Sequence, residues 1–425
     1  MGQRYYLPPE KNEPPETNIY PGTGAKPKAS EATEWKNTHR FPGAFIVEIR
    51  PAAGISFLFI ILKRKAVRSF KTYFFMNPVI SYTQYPIILA PMLGVVTPEM
   101  VAAVAEAGGL GSLPLGGLSV EASRKLIRKT RQLTSKTFAV NFFANTAPDV
   151  EKNKEATGQM LLFIQNILKK KNWAENTGFC YQFYPYQDLI DLIIEEDIRF
   201  VSFTFGVPDD ECIQKLKSNG IILTGTATSV SEAVMLEKSG VDTVVAQGIE
   251  AGGHRGTFLP GALPQTGLFA LVPQIADAVK IPVIASGGIC DQRTMQAAFN
   301  LGAGAVQIGS YFINAEESLA TDVYRNLLKR ATDTATQLTR SYTGRWARGI
   351  RNNFMELIEN SQLPIPDYPI QNLLTTKMRE LAKQHGDAGF MNFWAGQNAR
   401  YAPAKPTEAI INELIVIYKT IHAAE

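Results

Sequence analysis

A single histidine stands in a loop that is rich in glycine. His254 belongs to the segment AQGIEAGGHRG (246–256), with glycines on both sides of it. An imidazole takes or gives a proton near neutral pH, since its unperturbed pKa is about 6.5, and a charged imidazole favours an anionic substrate. The glycines let the backbone come close to a ligand. We predict that His254 is catalytic rather than a loop residue with only a structural hydrogen bond; Arg255 beside it fits a surface charge equally well.

Two uncharged amides follow buried apolar runs. Asn141 lies in FAVNFF (138–143), and Gln247 ends TVVAQG (243–248). Buried polar groups need partners, because an unpaired one is costly. The ring of a flavin offers carbonyl and nitrogen atoms that suit amide side chains. The alternative is a hydrogen bond from each amide to a neighbouring loop.

Two further runs end in glycine. ASGGICD (285–291) and VQIGSYF (306–312) place glycines where backbone N–H groups can approach an anion. In barrel enzymes the loops after the seventh and eighth strands, with a nearby helix N-terminus, commonly bind phosphate. We therefore predict a phosphate site here, against the alternative that these glycines only form turns.

The elements that would position these residues alternate along the chain. Continuous apolar runs separated by amphipathic helical segments indicate a parallel sheet that is covered on both faces. Eight such runs predict an α/β fold, the (β/α)8 TIM barrel, whose active site lies at the carboxyl ends of the strands. An open doubly wound sheet is the alternative, but the first turn, APMLGVVTP (90–98), lacks the GxGxxG fingerprint. The eight runs cover 86–91, 110–113, 138–143, 200–205, 221–226, 243–248, 282–287 and 305–310.

The pattern divides the chain into three parts. We expect an extension of low order over 1–75, the barrel over 76–316, and a helical appendage near the barrel mouth over 317–425. The connection at 147–198 is longer than one crossover helix requires, so we expect it to contribute to a lid or to the same appendage.

Composition excludes several functional classes. The 425 residues carry a net charge of +4, which does not point to nucleic acid. The three cysteines form no CxxC pair, so neither a disulfide framework nor a zinc site is indicated, and we expect a reducing, cytoplasmic setting. The apolar stretch at 52–62 is shorter than the roughly 20 residues of a membrane span. We expect no membrane contact through residues 52–71, and the alternative is an anchor at the membrane interface.

Taken together, these segments resemble the nitronate monooxygenases, historically called 2-nitropropane dioxygenases. The resemblance covers roughly residues 84–400, and AQGIEAGGHRG is its most specific element. The matching segments are PIILAPM (86–92), AGGLGSL (107–113), VNFF (140–143), VSFTFG (201–206), AQGIEAGGHRG (246–256), ASGGI (285–289), VQIGS (306–310), YTGRWARGIRN (342–352), DYPIQ (367–371) and FWAGQ (393–397).

The resemblance implies an enzyme with non-covalently bound flavin mononucleotide (FMN) and no metal. Its members convert a nitronate and O2 to a carbonyl compound and nitrite, and the implied substrate is propionate 3-nitronate, a metabolic poison, which makes detoxification the implied role. His254 would lie beside the flavin. The residues implied to contact FMN are Met92, Asn141, Gln247, Gly252, Gly288, Gln307, Ile308, Gly309 and Ser310.

The sequence departs from the family pattern at a few positions. Leu89 stands where the family often has glutamine, and Trp346 replaces a common proline. Asn372 and Thr376 stand where bacterial members have tyrosine and lysine at the substrate pocket. These departures concern substrate preference more than the flavin site. Two alternatives stay open: an FMN-dependent NAD(P)H reductase of quinones or enoyl thioesters, and a flavin-binding barrel without catalysis.

Overall fold

The computed structural model describes residues 36–41, 44–49, 57–62, 78–79, 81–173 and 181–423. The chain divides into two compact units, Met1–Arg68 and Ser69–Glu425. In the first unit, strands β1 (Lys36–Phe41), β2 (Ala44–Ile49) and β3 (Phe57–Leu62) form an antiparallel sheet in that order. The rest of the predicted 1–75 extension, and most of the 52–71 segment, lie outside the described residues.

The second unit is built around a parallel barrel. Eight strands join in the order β4-β12-β11-β9-β8-β7-β6-β5, and a parallel bridge between Ile88 and Leu110 closes the circle. The predicted (β/α)8 barrel is confirmed. The strands of this unit are β4 (Ile87–Leu89), β5 (Ser112–Pro114), β6 (Ala139–Phe143), β7 (Phe200–Thr204), β8 (Ile222–Ala227), β9 (Thr243–Gln247), β10 (Gly253–His254), β11 (Val283–Ser286), β12 (Ala305–Ile308), β13 (Thr336–Thr339) and β14 (Ala347–Ile350).

Helices follow the strands, as the amphipathic segments predicted. Several begin after a residue whose side chain accepts a backbone N–H of the first turn, namely Ser119, Asp149, Asp209, Ser229 and Asp291. The α-helices cover Pro98–Glu106, Val120–Leu133, Val150–Lys170, Asp188–Glu195, Asp210–Ser218, Val230–Lys238, Leu268–Ala278, Gln292–Asn300, Asp322–Arg330, Asn353–Ser361, Ile370–Gln384 and Thr407–Ala423. Among the described residues, none of the helices combines the length and the apolar character that a membrane span requires.

The last helix belongs to the barrel wall. Thr407–Ala423 packs against Pro98–Glu106 and Gln292–Asn300, and Ile410 and Leu414 are buried in the same core as the barrel strands. The chain therefore leaves the barrel after its eighth strand and returns for the eighth helix. The division of 76–316 from 317–425 stays a prediction, but the packing assigns its last helix to the barrel, which helical periodicity alone does not reveal.

The segment between β12 and the last helix forms a subdomain with its own core. Helices Val150–Lys170, Asn353–Ser361 and Ile370–Gln384 share a second apolar cluster. The long 147–198 connection thus contributes to this subdomain, as expected. A small antiparallel sheet, β10-β14-β13, joins the histidine loop to it. No strands were predicted after residue 316, because β13 (TQLT) and β14 (ARGI) lack the continuous apolar run that marks the barrel strands.

Candidate active site

A cavity of about 680 Å³ opens at the carboxyl ends of the barrel strands. Sites for small molecules and cofactors typically have volumes of about 300–1,000 Å³, so this cavity is large enough for both a cofactor and a substrate. The structure brings every residue that was predicted to be catalytic or to contact FMN into its wall. Those residues are Met92, Asn141, Gln247, Gly252, His254, Gly288, Gln307, Ile308, Gly309 and Ser310.

One part of the wall, here called the glycine side, consists of Gly287, Gly288, Gly309 and Ser310. Gly287 and Gly288 have φ angles of 127° and 68°, which L side chains rarely adopt. The backbone N–H groups of all four residues donate to no acceptor within the described residues. Unpaired N–H groups on two adjacent loops form a cradle that suits an anion.

The helix after β11 does not add its own N-terminus to this cradle. Asp291 caps Gln292–Asn300 in a reciprocal capping box, in which its carboxylate accepts the Thr294 N–H at 2.9 Å and the Thr294 hydroxyl accepts the Asp291 N–H at 3.0 Å. Arg293 pairs with the same carboxylate. The cradle therefore consists of the loop after β11 and the start of the short 3-10 helix Ser310–Phe312, and phosphate binding there stays a prediction.

The two amides have different surroundings. Asn141 is buried, and its Nδ2 donates to Ser202 Oγ at 2.9 Å. Gln247 holds the histidine loop: its Nε2 donates to the carbonyl of His254 at 2.9 Å, and its Oε1 accepts the N–H of Gly256 at 2.9 Å. The structure thus shows for Gln247 the loop contact that was the alternative at the sequence level, and its contact with FMN stays a prediction.

His254 has a fixed ring and one free nitrogen. Its Nε2 lies 2.9 Å from Thr343 Oγ1, and the Thr343 hydroxyl donates to the carbonyl of Arg345 at 3.2 Å. When this hydroxyl donates to Arg345, it accepts from the ring, and in that tautomer Nε2 carries the proton. Nδ1 forms no hydrogen bond within the described residues. It is therefore the nitrogen that can accept a proton.

The charge state of His254 is set by its surroundings. Burial, and then the positive charges of Arg345 and Arg379, lower the pKa of His254 to about 3. Burial disfavours the charged imidazolium, and neighbouring cations disfavour it further. The ring is therefore neutral at physiological pH, and it is a weak base. The lowered pKa disfavours the alternative role, attraction of an anion by a charged ring.

Aromatic rings surround the histidine, and together with Thr343 these residues are called the histidine side of the cavity. The centroid of the His254 ring lies 6.2 Å from Phe143, 5.3 Å from Phe205, 6.1 Å from Tyr368 and 5.7 Å from Trp394. Phe205 has a φ of 80°, a genuine outlier for a bulky residue. Such strain is typically found at functional sites. Burial raises the pKa of Tyr368 to about 12, so its hydroxyl keeps its proton.

Arg255 is not a surface charge. It is only 1% exposed, and its guanidinium donates to the carbonyl oxygens of Gly248 at 2.5 Å and Gln247 at 2.9 Å. Arg348 donates to the next carbonyl, that of Ile249, at 2.9 Å. The two arginines therefore fix the turn after β9 that leads to the histidine loop.

The FWAGQ segment fastens three loops together. The N–H of Gly396 donates to Ser310 Oγ at 2.9 Å, and the side chain of Asn398 donates to the carbonyl of Gly288 at 2.6 Å. A Cβ on Gly252 would lie only 2.4 Å from the nitrogen of Gly396. Gly252 and Gly396 are thus required to be glycine, because two backbones touch here.

Some residues of the cavity wall were not singled out from the sequence. Thr343, Tyr368 and Trp394 lie within quoted segments, which signalled their importance but not their place beside His254. Arg379, on helix Ile370–Gln384, gave no signal, because a lone arginine on an amphipathic helix is typical of a solvated face.

Comparisons with known proteins agree with this geometry. A family model described as nitronate monooxygenase matches residues 77–416. The chain belongs to the nitronate monooxygenase family. The resemblance seen in the sequence is confirmed, and membership makes the chain an oxidoreductase. A protein of Staphylococcus aureus (strain Newman), named probable nitronate monooxygenase, is 39% identical over 334 residues, which cover 78% of this chain and 94% of that protein.

Solved structures of similar proteins share the fold. Nitroalkane oxidase from Streptomyces ansochromogenes aligns with a TM-score of 0.76 and 32% identity over 82% of this chain and 99% of its own. FabK from Thermotoga maritima aligns with a TM-score of 0.64 and 30% identity over 82% of this chain and 97% of its own.

Proposed function

We propose that this member of the family uses FMN to oxidise alkyl nitronates with O2, giving a carbonyl compound and nitrite. Propionate 3-nitronate is the proposed substrate, and cytoplasmic detoxification the proposed role. The observation that carries the proposal is the cavity itself, which combines an anion cradle on its glycine side with a neutral histidine on its histidine side.

The residues present fit FMN. The unpaired N–H groups of the glycine side suit its phosphate, since oriented backbone donors bind anions. Asn141, in the cavity wall, offers an amide to a polar ring. Met92, Gly252 and the Gln307–Ser310 segment would complete the contacts. When bound, FMN would supply the redox chemistry, which no side chain of the site provides.

The side chains have a limited task, which the geometry suits. A nitronate is already deprotonated, so no strong base is needed to begin the reaction. If a neutral nitroalkane is used instead, Nδ1 of His254 can accept its proton while Thr343 holds Nε2. Because the low pKa makes the ring a weak base, this step would depend on the new nitronate anion, whose charge stabilises the imidazolium beside it. The aromatic rings around His254 keep water from the reacting carbon and present apolar surface to the alkyl chain.

The decisive experiment follows the flavin spectrum of the purified full chain. The protein is mixed anaerobically with propionate 3-nitronate, and a second sample is mixed with NADH. We expect nitronate alone to bleach the flavin and admission of air to release nitrite. Bleaching by NADH only would favour the NAD(P)H-dependent reductase, a candidate that the similarity to FabK keeps open. A protein that takes up no FMN would overturn both.

A further inference from the structure

A positively charged side chain in the cavity wall has no negative partner. Arg379 donates through Nη2 to the carbonyl oxygen of Asn372 at 3.0 Å, to Asn372 Oδ1 at 2.9 Å and to Thr376 Oγ1 at 3.0 Å. Its Nη1 has only a long contact, 3.5 Å, with Asn392 Oδ1. All these acceptors are neutral, and within the described residues no carboxylate forms an ion pair with Arg379.

The surroundings of Arg379 make this lack of a counterion costly. Its Nε is buried and has no hydrogen-bond partner. Burial lowers the pKa of the guanidinium to about 10, so it is still charged at neutral pH. The adjacent Glu380 also lines the cavity, and its charge raises the pKa of Arg379, but its carboxylate pairs with Lys377 at 3.8 Å and forms no ion pair with Arg379. A buried charge without a counterion is destabilising, and it is retained in an enzyme where an anion arrives with the ligand.

Two observations place that anion with the substrate and not with the cofactor. The charge of Arg379 is among those that lower the pKa of His254, so it acts on the histidine side of the cavity. The phosphate of FMN already has its unpaired N–H groups on the glycine side. The position of Arg379 agrees with the first observation, since Asn372 and Thr376, which hold the guanidinium, line the cavity on the helix that begins two residues after Tyr368.

We propose that Arg379 binds a carboxylate of the substrate and makes the enzyme selective for nitronates that carry a second anionic group. This inference rests on the proposed function. A charge-assisted hydrogen bond from a guanidinium to a carboxylate is among the strongest hydrogen bonds. Nη1, the nitrogen with only a long contact, is the donor available to it.

The test compares two substrates of matched shape. Propionate 3-nitronate carries the carboxylate, and 3-methylbutyl-1-nitronate replaces it by a branched alkyl group. In Arg379→Gln we expect kcat/KM for the first to fall about 10- to 100-fold, mainly through KM, and kcat/KM for the second to change less than about threefold. Arg379→Lys should be intermediate. Lys377→Gln, on the same helix but outside the cavity, is the control and should behave like wild type.

A measurement on wild type makes the test independent of how the variants fold. Butyrate should inhibit oxidation of 3-methylbutyl-1-nitronate competitively, whereas its neutral analogue butyramide should not, and Arg379→Gln should lose the inhibition by butyrate. Equal loss for both substrates would mean that Arg379 binds the nitronate group itself, and weakened FMN binding would assign it to the cofactor; either result overturns the proposal. Failure of wild type to oxidise any nitronate would instead overturn the proposed function.

Discussion

The glycine side and the histidine side of the cavity differ in the chemical groups that they present. The glycine side presents backbone N–H groups at the ends of β11 and β12, and its shape follows from the barrel and from glycine φ angles. The histidine side presents side chains, several of which come from the segment inserted between the eighth strand and the last helix. We therefore expect cofactor binding and substrate choice to depend mainly on different parts of this chain, which are linked where Gly396 and Asn398 contact the glycine side.

Among the substitutions considered, His254→Gln should have the largest effect, because it removes the imidazole from the histidine side. We expect kcat/KM with a neutral nitroalkane to fall about 10²- to 10⁴-fold, because the proton acceptor is lost. With preformed nitronate the loss should stay under about tenfold, and FMN affinity should not change. Steady-state kinetics and flavin titration check this. His385→Gln, the same change at an exposed histidine outside the cavity, is the control. An equal loss with both substrates would show that His254 serves more than proton transfer.

The low pKa of His254 predicts a pH dependence of stability. The unfolded chain takes up a proton as the pH falls through about 6.5, but the folded ring does not until about pH 3. The contribution of the neutral ring is therefore complete above pH 6.5 and is lost as the pH falls below it, by about 1.4 kcal/mol for each pH unit. Denaturant unfolding of wild type and His254→Gln between pH 7 and 4 checks this: the difference between them should shift by that slope, and parallel curves would contradict it.

Gly252→Ala tests the contact between the histidine loop and the FWAGQ segment. The added Cβ would lie 2.4 Å from the nitrogen of Gly396 and 2.6 Å from the carbonyl carbon of Ala395. We expect a loss of about 1–3 kcal/mol in the free energy of unfolding, with weaker FMN binding. Gly158→Ala has open space in helix Val150–Lys170 and should be neutral or stabilising by up to about 1 kcal/mol. Similar effects in both variants would refute the close approach.

Ser310→Ala should have the smallest effect. The hydroxyl accepts the N–H of Gly396, so we expect a loss of about 1 kcal/mol in unfolding free energy. FMN affinity should change little, because Ser310 serves the glycine side through its backbone N–H. Thermal denaturation and flavin titration measure the two effects separately. A tenfold loss of FMN affinity would mean that the hydroxyl itself contacts the cofactor.

Much of the barrel and of the glycine side was predictable from the sequence. Apolar runs and helical periodicity are local signals, and a barrel places the residues after its strands at one mouth. That is why residues as distant in sequence as Met92 and Ser310 were expected together and do line one cavity.

The histidine side was less predictable because its contacts join distant segments. The buried guanidinium of Arg255 donates to two carbonyl oxygens of its own loop. The composition of the sequence does not reveal such an arrangement. Gln247 holds a loop seven residues ahead, although an amide at a strand end fits a ligand equally well. Arg379 meets the cavity only because a helix some 120 residues beyond His254 packs over it. Such side chains have no periodicity that identifies their partners.

The return of the chain for its last helix has an evolutionary consequence. The insertion is closed at its base, where the N–H of Glu316 donates to the carbonyl of Lys405 at 3.1 Å and the N–H of Thr407 to the carboxylate of Glu317 at 2.9 Å. A detour whose two ends meet can be lengthened, shortened or exchanged at little entropic cost to the scaffold. We therefore expect that natural recombination or a laboratory chimera can graft a foreign insertion onto this barrel. The graft would change the substrates that the enzyme accepts while the barrel strands stay the same.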